Sequence, residues 1–166
     1  MSTRVVVRPA EVRDLYAAGH VCVQGYLAAG QLDDDPHQGY GAVLADTRAR
    51  LDLAVLLVAE IDERIVGTVT ICPPGSPFAE LGREDEVEFR FLAVAPEAWG
   101  HGVGDALVQA CESHARQQGA QRIVICVRDF NDPAKALYLR RGFVRCPERD
   151  WEPVPGVSLL AMTKAL

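Results

Sequence analysis

The sequence has no long apolar run. Its longest uninterrupted one covers residues 54–59, far short of the ~20 residues a membrane span needs. It also lacks any cysteine pattern that reads as a metal or disulfide framework. Its five cysteines, Cys22, Cys72, Cys111, Cys126 and Cys146, are odd in number and no two lie closer than fifteen residues. Neither a CxxC nor a Cys/His pair has zinc spacing, so reduced thiols, no metal and a cytoplasmic location are the expectation. The first eight residues alternate without an apolar h-region, which argues against a signal peptide. A basic excess is missing too. The net charge is −6 and the pI is near 5.2, the wrong balance for displacing counterions from nucleic-acid phosphates. Repeats, linkers and low-complexity tracts are absent. What remains is 166 residues, 49% hydrophobic and 24% charged, the profile of one ordinary globular domain over residues 1–166.

Periodicity divides the chain into alternating elements. Residues 4–8 read as a short strand that Pro9 ends. Residues 11–29 carry a helical stripe of Val12, Leu15, Tyr16, Cys22, Val23 and Tyr26. A loop rich in glycine and aspartate spans 30–41, and a second short helix is expected over 42–51. Residues 54–61 and 65–71 read as a hairpin turning at Asp62, Glu63 and Arg64. A long loop over 73–86 precedes a strongly apolar strand at 87–95. The next helix starts near Gly102, with a stripe of Val103, Leu107, Ala110, Cys111 and His114, and Gly119 stops it. A buried-type strand follows at 122–127. Asp132 and Pro133 open another helix, which ends in two arginines and Gly142. Residues 143–145 and 157–163 read as closing strands.

The informative stretch runs from Glu88 to Gly104. It is a strand, a four-residue connection, and then Gly100, Gly102 and Gly104 at the mouth of a helix. Glycines let a backbone approach a ligand without a Cβ in the way. A helix N-terminus offers unpaired N–H groups and a positive dipole end to an anion. A pyrophosphate uses both. A dinucleotide fold would place the glycines directly after the strand and add further βαβ units. Here Pro96 to Trp99 intervene and one α/β unit follows, so Asp129 is no ribose-binding acid. No Gly-Lys-Ser/Thr follows either, which excludes a P-loop.

Two motifs carry a resemblance. Leu92-Ala-Val94-Ala-Pro96 followed by Gly100-His-Gly102-Val-Gly104 resembles the acyl-CoA motif of the GNAT acyltransferase superfamily. Asn131 to Phe143 resembles its second motif, Asn-x-x-Ala-x-x-x-Tyr-x-x-x-Gly-Phe. The first 85 residues match only in the order of elements.

The resemblance implies an α/β fold with a mixed, centrally splayed sheet flanked by helices. Acetyl-CoA would lie as co-substrate between the strands at 88–95 and 122–127. Backbone groups of Leu92, Ala93 and Val94 would pair with the pantetheine arm, one N–H facing the thioester oxygen. Amides of Gly100, His101, Gly102, Val103, Gly104 and Asp105 would hold the pyrophosphate. Tyr138 would protonate the leaving thiolate, and Asn131, two helical turns earlier, would point the same way into the wedge. Glu88 stands where some members carry a general base; Glu86 and a bound water are the alternatives.

The sequence departs from the family pattern at three places. Trp99 replaces the usual Arg or Gln, with His101 as a partial substitute. Asp105 replaces a neutral or basic residue, and Cys126 stands where some peptide-acetylating members have glutamate. The implied activity is direct transfer of an acetyl group to an acceptor's primary amine. A catalytically weak CoA-binding or regulatory module is the alternative, motivated by Trp99 and Asp105. Partners would be an amine acceptor and, compatibly, a second copy in a homodimer, with no nucleic acid and no membrane. Asp33, Asp34, Asp35, Glu80, Glu84, Asp85 and Glu86 on the two long loops favour a cationic acceptor if they face it.

Overall fold

A computed structural model describes residues 3–35 and 39–166. Seven strands form one open sheet: β1 (Val6–Pro9), β2 (Val55–Ile61), β3 (Arg64–Cys72), β4 (Glu86–Val94), β5 (Arg122–Arg128), β6 (Val144–Arg145) and β7 (Leu159–Ala165). The helices are α1 (Leu15–Ala28), α2 (Gly39–Ala45), α3 (Thr47–Leu53), α4 (Val103–Gln117) and α5 (Asp132–Arg140). The strand order is β1-β2-β3-β4-β5-β7-β6. Every neighbouring pair is antiparallel except β4 and β5.

Alternation along β2 separates the two faces, as a period of two requires. Leu57 and Ala59 join Val69, Ile71, Leu107 and Cys111 in the main core under α4, whereas Leu56 and Val58 pack with Ala18 on the α1 side. A buried ion cluster ties the far end of the sheet to the helices. Glu112 on α4 accepts from Arg141 at 2.8 Å and from Lys164 of β7 at 2.7 Å.

Two irregularities position the site. The parallel pairing of β4 and β5 lasts only three residues, Glu86–Arg122, Val87–Ile123 and Glu88–Val124. Beyond Glu88 the strands diverge, and the β5-facing edge of β4 has no ladder partner. The second irregularity is a bulge. Thr68 pairs with Ala93 and Thr70 with Arg90, so two residues of β4, Phe91 and Leu92, stand opposite Val69 alone. Phe91 takes the left-handed conformation, φ 58°. An extra residue flips the side-chain register. Val87 and Phe89 face the main core, but Phe91 and Ala93 face Cys22 and Leu44 on the opposite side.

The structure corrects several sequence expectations. The segment 11–29 opens with a 3-10 turn over Val12–Asp14, and α1 starts at Leu15. Its buried face is Ala18, Gly19, Val21, Cys22 and Gly25; Val12 and Tyr16 are exposed. Small residues let this helix lie close to its neighbours: a Cβ on Gly19 would stand 2.8 Å from the Ala45 carbonyl. The helix expected over 42–51 is two helices. Asp46 separates them and caps α3 by accepting from the Ala49 N–H at 3.3 Å. Of the loop expected over 30–41, residues 36–38 lie outside the described residues, and α2 already begins at Gly39. The cap of α5 is Asn131 rather than Asp132. The last strand begins at Leu159, two residues later than expected.

Candidate active site

Where β4 and β5 part, a wedge opens, and it has two connected ends. One is a groove of about 670 Å³ between the β4 backbone, the start of α4 and α5. The other is a cavity of about 420 Å³ bounded by β4, the end of β5 and the 150–158 segment. Tyr26, Gln31, Leu92, Asn131 and Ala134 line both, so the two ends meet at the bulge.

Leu92, Ala93, Val94, Gly100, Gly102, Val103, Gly104, Asp105 and Asn131 all line the larger groove. His101 is exposed and is not part of that lining. Gly100 and Gly102 sit at φ 83° and 80°, and a Cβ on either would meet nothing within 4 Å. Gly102 is the N-cap of α4 and gives no side-chain cap. The first N–H groups of the helix are therefore open to an anion.

The departures from the family pattern acquire structural partners here. Trp99, half-exposed, donates from its indole Nε1 to the Val94 carbonyl at 2.9 Å. That carbonyl is thereby engaged on one of its two lone pairs. Asp105 is paired with Arg140 at 3.1 Å and Arg141 at 3.8 Å. These cations on the neighbouring helix offset its charge beside the groove.

Tyr138 is buried, packed against Phe89 and Phe143, and reaches the smaller cavity together with Asn131. Burial raises its phenol above the ordinary value, with Cys111 adding to the shift. It therefore remains a proton donor throughout the neutral range. Asn131 spends its side-chain oxygen on the Ala134 N–H at 3.3 Å. Cys126 also lines the cavity, but burial pushes its thiol up to about 12. That leaves it a poor nucleophile.

Glu88 and Glu86 part company. Glu88 is buried and lines the cavity, and its Oε1 accepts the N–H groups of Glu80, Leu81 and Gly82 at 2.8, 2.9 and 3.0 Å. It thus holds the 80–82 loop in place and leaves Oε2 for other work. Glu86 lines neither end of the wedge. Its carboxylate forks with Arg149 at 2.9 and 3.0 Å and accepts from the Arg83 N–H. Burial acts to raise its pKa, but Arg149 and the Arg83 N–H outweigh this and hold it below the ordinary value near 4.5.

A group with a depressed folded pKa stabilises above its unfolded pKa, and that stability is lost as pH falls through the folded value. Glu86→Gln is accordingly expected to cost about 3–5 kcal/mol at pH 7, the penalty for breaking a buried pair. Urea melts should find the gap to wild type constant above the ordinary carboxylate value of 4.5 and narrowing as pH falls below it. A catalytic loss with unchanged stability would return Glu86 to the list of bases.

The loop acids are mostly engaged. Asp34 pairs with Arg128 at 2.7 Å, Glu80 with Arg90 at 2.5 Å, and Asp35 accepts the N–H groups of Tyr40 and Gly41. Asp33, Glu84 and Asp85 are not among the cavity-lining residues. Asp34, Asp35 and Glu80 do line the cavity, each with a partner of its own.

Sequence reasoning missed Arg90, Arg128, Tyr26 and Tyr40, all of which line the cavity. A charged residue at the carboxyl end of a strand beside a sheet's opening was the available signal for Arg128. Arg50 was missed too. It is fully buried, donates to the Val43 and Leu44 carbonyls at 2.8 Å, and lies 4.5 Å from the Phe91 ring centroid. Arg90 lies 4.4 Å from the same centroid. Both guanidinium groups thus lie over the ring of the bulge residue, within cation–π range.

An α/β protein with a groove in the split of a mixed sheet is the class these features define. The sequence model of the acetyltransferase (GNAT) family matches residues 20–143, and the chain belongs to that family. It is 32% identical over 142 residues to a mycothiol acetyltransferase of Cellulomonas flavigena, covering 77% of this chain and 40% of that protein. The chain spans less than half the length of the curated relatives it matches. Among solved structures, a GCN5-related N-acetyltransferase from Kribbella flavida superposes with a TM-score of 0.69 at 27% identity, covering 98% of both chains. The Salmonella typhimurium protein yncA, solved with its cofactor acetyl-CoA, gives a TM-score of 0.71 at 22% identity over 98% of this chain and 94% of that one. At that identity the likeness concerns the fold.

Proposed function

We propose that this chain transfers an acetyl group from acetyl-CoA to the primary amine of an acceptor, by direct attack within a ternary complex. The observation that carries the reading is the bulge at Phe91. It stands where the β4 edge loses its β5 partner, and the two ends of the wedge meet there.

The residues fit a CoA thioester. The glycine turn and the open N-terminus of α4 suit the pyrophosphate, and the unpaired β4 edge from Leu92 to Val94 suits an amide-bearing arm. When bound, acetyl-CoA supplies an activated acyl group. An N–H of the bulge would then stabilise negative charge on the carbonyl oxygen, and Tyr138 would protonate the departing sulfur. The acceptor amine would enter through the smaller cavity. Glu88 would take its proton on Oε2, directly or through a water. Cys126, with its raised pKa, is given no covalent role.

Initial rates of thiol release at varied acetyl-CoA and amine should give intersecting lines, whereas parallel lines would indicate an acyl-enzyme. Glu88→Gln keeps an oxygen for the three loop N–H groups and removes the carboxylate. We expect kcat/KM to fall by about 10²-fold with the fold intact. An unchanged value and pH profile would assign proton removal to a water alone.

A further inference from the structure

We propose that the acceptor carries a carboxylate as well as its amine, and that Arg128 receives it. This rests on the reading of the smaller cavity as the acceptor site. Arg128 is the last residue of β5, on the wall that has diverged from β4, and its side chain is 13% exposed. Its guanidinium lies 4.7 Å from the Phe130 ring centroid. One Nη donates to Asp34 at 2.7 Å, while the Nε–H is buried without an acceptor among the described residues. A guanidinium presents its Nε and one Nη along a common edge, and a carboxylate satisfies two such donors at once. Asp34 takes one donor and leaves the other orphaned.

Asp34 is itself a replaceable partner. It is 45% exposed, on the α1–α2 connection, and an ion pair with so exposed a partner contributes little. A ligand carboxylate that displaced it would keep the charge pairing and could satisfy the orphaned N–H, whose burial is otherwise costly. The remaining charges narrow the class. Arg90 is committed to Glu80 and the Phe78 carbonyl, so one cation is open to exchange. Asp35 and Glu88 line the same cavity. A phosphate dianion would be repelled by them, whereas a monoanion bearing an ammonium group would complement both signs. The ligand class is therefore a zwitterion: an amino acid, or a compound carrying an amine and a carboxylate at comparable separation.

The test compares matched pairs, free α-amino acids and their α-carboxamides, as acceptors in thiol release. Wild type is expected to favour the acid in kcat/KM by about 10–100-fold, in line with charge-assisted hydrogen bonds. Arg128→Gln should bring that ratio near one, and the ratio is insensitive to any shared loss of folded protein. Asp34→Asn should lower KM for the acid, because the internal competitor is gone. Equal use of acid and amide by wild type, or a preference that survives Arg128→Gln, would overturn the proposal. If no pair is turned over, the transfer to small amines fails separately. Calorimetry of the same amino acids against CoA-loaded protein then decides the present point. Binding lost in Arg128→Gln supports it, and absent or unaltered binding sinks it.

Discussion

Gly102→Val is expected to abolish detectable CoA binding in a protein that still folds. Position 102 is the N-cap of α4 at φ 80°, ψ 13°, in the groove lining, and a Cβ there would meet no protein atom within 4 Å. The space a valine would fill is thus the space proposed for the ligand. The substitution also has a backbone cost, since a left-handed conformation disfavours any residue with a Cβ by about 1–2 kcal/mol. Gly119 separates the two effects. It closes the other end of α4 at φ 73°, also with nothing within 4 Å of its Cβ, and lines neither end of the wedge. Gly119→Val should therefore lower the melting temperature comparably and leave CoA affinity unchanged in calorimetry. Unchanged affinity in Gly102→Val, or equal losses in both variants, would remove the glycine turn from the site.

What the sequence made legible follows from the range of the interactions concerned. The glycine turn and α4 are local patterns; Asn131 and Tyr138 were named by the resemblance, and their spacing of two helical turns is consistent with their lining one cavity. The split of the sheet came from resemblance, because nothing in the strand sequences says that β4 and β5 pair over three residues only. The bulge was invisible for a related reason. Val87, Phe89, Phe91 and Ala93 read as one continuous face, and only the pairing with β3 reveals that the last two have switched sides. Arg50 lies in a helix with an exposed, polar-looking sequence, yet it is fully buried against an aromatic ring supplied by a strand forty residues later. The partners of the acidic loops were hidden for the converse reason: their charges were counted without the arginines from β4 and β5 that meet them.

Those contacts make β4 the element on which the proposed chemistry converges. Its first residue anchors to Arg149, and Glu88 holds the 80–82 loop. At the bulge, the Cys22 thiol donates to the Phe91 carbonyl at 3.9 Å, and two guanidinium groups lie over the ring. A residue held at φ 58° without glycine's freedom needs such support. If the Leu92 N–H is the donor proposed above, these contacts at its neighbour would preorganise it and lower the reorganisation cost during reaction.

Tyr138→Phe is expected to lower kcat by about 10²-fold, the usual contribution of a positioned general acid, while CoA affinity stays close to wild type. The ring remains, so its contacts with Phe89 and Phe143, at centroid distances of 6.0 and 5.7 Å, are kept. No neighbouring group among the described residues hydrogen-bonds the hydroxyl, so its removal strands no buried partner. Stability should change little. The pH dependence adds a second check. Burial raises the phenol above its ordinary value of 10, so the protonated, acid-competent form persists as pH rises through that value. Wild-type kcat should therefore have no falling alkaline limb from this residue up to about pH 10. Single-turnover measurement is the appropriate assay, because slow product release would mask a change in the chemical step. A single-turnover rate unaltered by Tyr138→Phe would leave Tyr138 as a core aromatic and require the thiolate to take its proton from water.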